Sequence, residues 1–149
     1  MCDYSLMSMP NRLAVEGEEL IVHKFPTGSL GFGSPIGRPR SFWAELKEFF
    51  KPAPIPVVCV PPGAHLMLRD IPARLQSEFG MGPEEEVVFT QLSAAVNCYR
   101  DAVRFRNGKE TLLQHLAAGQ HARVLHLSGE ISEPAWNEMR QTSLQAANR

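Results

Sequence analysis

Ala102-Val103-Arg104-Phe105-Arg106-Asn107-Gly108-Lys109-Glu110-Thr111-Leu112-Leu113 is the stretch on which the reading of this chain turns. Asn-Gly between two partly apolar runs supplies the positive φ angles of a two-residue type I′ turn, so the stretch predicts a β-hairpin. With that loop Val103 falls opposite Leu112 and Ala102 opposite Leu113. Apolar pairs then lie on both faces, and both faces must be at least partly covered.

Working outward, His121 to Leu127 reads as a further strand. Upstream, Glu84-Glu85-Glu86 leads into Val87-Val88-Phe89, the pattern of a solvated strand start that resists edge aggregation. Pro72 to Phe79 reads as a short helix closed by Gly80. Ile55 to Val60, then Pro61-Pro62-Gly63, then His65 to Arg69 read as strand, turn and strand. Leu13 to Phe25 predicts a strand pair around Glu16-Gly17-Glu18-Glu19, followed by an irregular connection from Thr27 to Arg40. Nine of the twelve prolines fall between Pro10 and Pro62, so the first half is read as loop-rich. Ser41 can cap a helix from Phe42 to Phe50, ended by Pro52, with Trp43, Phe49 and Phe50 on its apolar face. Many short strands with only short helical inserts predict a mostly β protein: a small antiparallel barrel or half-open barrel with short helical inserts and a C-terminal helix. The expected division is a β-rich domain over 1–128 and a helical tail over 129–149, where Ser132 caps a helix carrying Trp136 and Met139.

The 149 residues fit one domain with a real core, and 44% hydrophobic against 21% charged residues excludes a disordered or fibrous chain. A formal net charge of -1 gives no global field for nucleic acid or anionic membrane. The start Met1-Cys2-Asp3 lacks the basic residues of a signal peptide, and the apolar runs fall short of the roughly 18 residues of a membrane span. A cytoplasmic protein is expected, with no nucleic-acid partner. No Gly-x-Ser-x-Gly elbow is present, and Gly31-Phe32-Gly33-Ser34-Pro35-Ile36-Gly37 lacks the strand-and-helix context of a dinucleotide fingerprint, so no nucleotide cofactor is expected.

Three cysteines and five histidines carry the chemistry. Thiolates and imidazoles are the ligands that zinc, copper and nickel select, yet no Cys-x-x-Cys or His-x-His pair exists to chelate locally. A site must therefore be assembled from distant segments. Cys59 and His65 flank the Pro-Pro-Gly turn, and a tight hairpin there would bring them close. Taken by itself, Cys59 within an apolar strand reads first as an inert buried thiol. Cys2, if Met1 is removed, offers an amine beside a thiol, either to chelate a metal or to act as an amino-terminal nucleophile.

The segments Met1-Cys2-Asp3-Tyr4-Ser5-Leu6, Val57-Val58-Cys59-Val60-Pro61-Pro62-Gly63 and Leu112-Leu113-Gln114-His115-Leu116-Ala117-Ala118-Gly119-Gln120 resemble a group of small uncharacterised bacterial proteins with these three landmarks in the same order. The resemblance implies a shared fold and a shared site at Cys2, Cys59 and His115; the group has no assigned reaction, so it implies no activity. The expectation is a metal-binding protein, used for binding or for a small redox or hydrolytic reaction. The alternative is a non-enzymatic interaction module whose Phe42 to Phe50 helix docks a protein partner or a second copy through Trp43, Phe49 and Phe50.

Overall fold

Alternation of buried and exposed side chains builds the strands, as in His121 to His126, where Ala122 and Val124 are buried and His121 and Arg123 are exposed. The computed structural model describes residue 6 and residues 8–35, 55–92 and 98–127. Cys2, the expected Phe42 to Phe50 helix with Trp43, Phe49 and Phe50, and the expected 129–149 helical tail lie outside the described residues. Within them the chain runs β1 (Asn11–Leu13), β2 (Glu19–Lys24), β3 (Leu30–Gly33), β4 (Val57–Cys59), β5 (His65–Leu68), α1 (Ala73–Phe79), β6 (Glu85–Gln91), β7 (Asp101–Phe105), β8 (Glu110–Leu112), a 3-10 turn (Leu113–His115) and β9 (His121–His126). The protein is mostly β, as the sequence indicates.

All nine strands join one mixed sheet in the order β1-β4-β3-β2-β9-β5-β6-β7-β8, whose edges β1 and β8 are not joined to each other among the described residues. One face carries the core: Leu20 and Val22 from β2, Phe32 from β3, Val58 from β4, Leu66 and Leu68 from β5, Val87 and Phe89 from β6, Val103 and Phe105 from β7. Phe32 and Phe89 have ring centroids 6.3 Å apart, although β3 and β6 are separated by three intervening strands. A flat sheet would set those strands about 19 Å apart. The sheet is therefore strongly curled around its apolar face.

Side chains span the gap that the ladder leaves open. Gln114, just after β8, accepts from the Leu30 backbone N–H at 2.8 Å and donates to the Leu30 carbonyl at 2.8 Å. Its amide thus stands in for one residue of a neighbouring strand at β3. Ser29 and Tyr99 add a hydroxyl contact at 3.2 Å. α1 covers one end of the core with Leu75, and its Phe79 ring lies 5.4 Å from Phe105. Gly80 ends that helix in the left-handed conformation at φ 66°, as its place after Phe79 predicts.

Several pairings differ from the sequence reading. The hairpin pairs Ala102 with Leu112 and Val103 with Thr111, one residue off the expected register. The cause is its loop. Gly108 alone takes positive φ (83°), its N–H donates to the Phe105 carbonyl, and the Phe105 N–H donates to the Lys109 carbonyl, giving a three-residue loop rather than a type I′ pair. Asn107 is held by its side chain instead, donating to the Phe79 carbonyl at 2.6 Å and accepting from the Lys109 N–H at 3.0 Å. Phe25-Pro26-Thr27-Gly28-Ser29 repeats the same bonding pattern, with Gly28 at φ 85°, so the expected irregular connection contains β3 in a second hairpin. β1 does not pair with β2 but runs parallel to β4, and β4 does not pair with β5, which lies between β6 and β9. The Pro61-Pro62-Gly63 turn therefore passes the chain from one part of the sheet to another instead of closing a hairpin.

Replacing Gln114 by Ala is expected to lower unfolding free energy by about 1–3 kcal/mol, read by urea titration, because two backbone groups of Leu30 lose their partner. Gly108→Val is expected to cost about 1 kcal/mol or more by the same measurement, since a β-branched residue resists positive φ.

Candidate functional site

Cys59 ends β4, on a second and smaller apolar cluster beyond the main core. There Leu6, Phe25 and Val57 are buried, and Met9 and Cys59 pack against them. Two glycines of β3 make room for it. A Cβ at Gly31 would stand 2.7 Å from Leu6 Cδ1 and 3.0 Å from Phe25 Cε2, and one at Gly33 would stand 3.1 Å from Ile55 Cγ2. The Gly31-Phe32-Gly33 alternation thus serves close packing on one face while Phe32 fills the core on the other.

Cys59 is disulfide-bonded, not the free metal-ligating or inert buried thiol expected from the sequence. Cys98 is a free, exposed thiol. Cys59 also borders a cavity of about 10 Å³, enough for about one water, together with Leu6, Phe32, Phe89, Asp101 and Leu113. Asp101 is only 4% exposed, and Gln91 Nε2 donates to its Oδ1 at 3.2 Å. In sequence, an aspartate between Arg100 and Ala102 looks like part of a solvated face. What could have marked it is its place in alternation with Val103 and Phe105, which puts it on the core side of β7.

His115 sits on the 3-10 turn, exposed, with Nδ1 3.4 Å from Thr111 Oγ1. It borders a different cavity of about 440 Å³, with Arg74, Glu78, Phe79, Leu92 and Glu110. Leu113, two residues earlier, reaches the Cys59 cavity, so the turn separates the two. Cys59 and His65 are likewise parted by the differing strand partners of β4 and β5. Among the described residues no group of three or more His, Cys, Asp or Glu side chains is gathered to hold a metal ion.

A polar chain does form on the sheet face opposite the core. His65, 3% exposed, places Nδ1 3.1 Å from Glu86 Oε1, and Arg106 donates to Glu86 Oε2 at 2.6 Å. Burial pulls the Glu86 carboxyl upward, but the hydrogen bonds and charges of Arg106 and His65 outweigh it and hold Glu86 below the usual carboxylate range. No known family model, curated protein or solved structure matches the chain.

Because the folded pKa of Glu86 is depressed, its stabilising contribution is present above the unfolded-state value of about 4.3 and is lost as pH falls through the folded value. Glu86→Gln is expected to lower the melting temperature at neutral pH and to flatten its further decline between about pH 5 and pH 3. An equally steep acid decline in the variant would assign that titration to other groups.

Proposed function

We propose that this protein is a thiol-switched transition-metal binder in which Cys2 and Cys59 form a disulfide when oxidised and supply two thiolates when reduced, with His115 as third ligand. The observation that carries the reading is the bonding of Cys59 while Cys98 is free, in a chain with three cysteines. Chain reach supports it. Leu6 packs in the same cluster as Cys59, and the four residues from Cys2 to Leu6 span at most about 14 Å.

In a reducing compartment such a bond is transient, which suits a switch rather than a permanent staple. An external dithiol attacks one sulfur as thiolate, passes through a mixed disulfide, and leaves as its own disulfide. Two electrons and two protons arrive on the protein as two thiols. A soft or borderline ion then displaces those protons and takes the thiolates. His115 is exposed and two residues from Leu113 at the cavity edge, so recruiting it requires the short turn to rotate.

Protein reduced under anaerobic conditions is expected to hold close to one equivalent of zinc by elemental analysis, and oxidised protein none. Cys2→Ser and Cys59→Ser abolish retention, His115→Ala weakens it about tenfold, and Cys98→Ser and His126→Ala leave it unchanged. Reduced protein that retains no zinc, copper or nickel overturns the metal reading. Peptide mapping that joins Cys59 to any residue but Cys2 overturns the switch.

A further inference from the structure

The same outer sheet face holds a groove of about 610 Å³ whose lining includes Met67, Arg69, Glu86, Arg123, Leu125 and His126. Three of its features point to an anion. First, Arg69 Nη1 and Arg123 Nε approach one and the same oxygen, Glu19 Oε1, at 3.5 and 3.8 Å. These guanidiniums come from two adjacent parts of the sheet, since the Arg69 N–H donates to the His121 carbonyl and Arg123 lies opposite Met67.

Second, these contacts are loose. Charge-assisted hydrogen bonds close to about 2.7–2.9 Å. Elsewhere this protein makes such pairs, with Arg104 to Glu110 at 2.7 Å and Arg106 to Glu86 at 2.6 Å. Among the described residues Arg69 finds besides it Glu84, at 3.9 Å. Both arginines remain well exposed, at 38% and 49%, and Glu19 at 42%. One carboxylate is thus shared by two cations, neither of which it satisfies at short range.

Third, the ground beside the pair is apolar. Met67 faces outward between Arg123 and Glu86 in the register, and Leu125 continues the same face. Glu86 at the far side is already engaged by the Arg106 guanidinium and by His65. We infer that Arg69 and Arg123 form a binding site for a phosphate monoester with an apolar substituent, and that Glu19 occupies its anion position when no ligand is present. A dianion carries the charge of both guanidiniums, where Glu19 carries half of it and Glu84 stands back at 3.9 Å from Arg69, and it offers the several oxygens that two planar donors can engage, which a single carboxylate oxygen does not. The apolar substituent covers Met67 and Leu125. This site is independent of the thiol chemistry.

Calorimetric titration at low ionic strength with phenyl phosphate, inorganic phosphate and benzoate tests it. Phenyl phosphate is expected to bind saturably with Kd near about 1 mM, inorganic phosphate more weakly, and benzoate most weakly. Glu19→Gln removes the internal competitor and is expected to tighten phenyl phosphate about tenfold. Arg69→Ala and Arg123→Ala each weaken it about tenfold or more, while Arg74→Ala on α1 leaves it unchanged. No saturable binding by the wild type and the Glu19→Gln form at about 10 mM overturns the site. Benzoate binding as tightly as phenyl phosphate overturns the dianion assignment. Binding indifferent to both arginines overturns the location.

Discussion

The curl that brings Phe32 of β3 to 6.3 Å from Phe89 of β6 is the constraint from which the remaining structure follows. The apolar face of the sheet is wider than the short α1 covers, with Leu75 buried and Phe79 partly buried against it. Bending the sheet lets its strands cover one another, so the core is made of residues from the same face meeting across the bend. The bend then leaves β3 near the chain that follows β8. Gln114 meets it with an amide that satisfies both backbone groups of Leu30, where an apolar residue would leave them without a partner.

The convex face has different needs. Over β3 it is dry, because Gly31 and Gly33 let Leu6, Phe25 and Ile55 approach the backbone, and Cys59 packs against this cluster. Over β2, β9, β5 and β6 it carries charges around the apolar Met67, with Glu19, Arg123, Met67 and Glu86 succeeding one another across the strands and Arg106 paired to Glu86. Cross-strand spacing places opposite charges within reach of each other. Glu86 is the more buried and is tightly held; Glu19 is exposed and loosely held.

The two hairpin loops show how local and distant information divide. Phe105-Arg106-Asn107-Gly108-Lys109 and Phe25-Pro26-Thr27-Gly28-Ser29 have one geometry. Asn-Gly made the first visible as a turn but pointed to the wrong loop length, because the Asn107 side chain is engaged by Phe79 and Lys109. The second was legible in Pro at the second turn position and Gly at the fourth, and the crowding of Pro and Gly around it disguised it as irregular chain. The candidate site divides likewise: Cys59 stood out by residue type, whereas Asp101 and the Arg69 and Arg123 pair had no signature beyond ordinary surface charge.

Sequence alone determined the mostly β class, the helix closed by Gly80, the turn at Gly108 and most strands from β5 onward, since each follows from local alternation and backbone preference. Tertiary structure alone decided which strands are neighbours. β1 lies parallel to β4, β9 enters between β2 and β5, and the hairpin sits one residue from its expected register. It also decided that Cys59, His65 and His115 lie in three separate surroundings. The physical reason is that strand partnership depends on how the apolar face is buried across the whole sheet, and a period of two along each strand carries no record of the neighbour chosen.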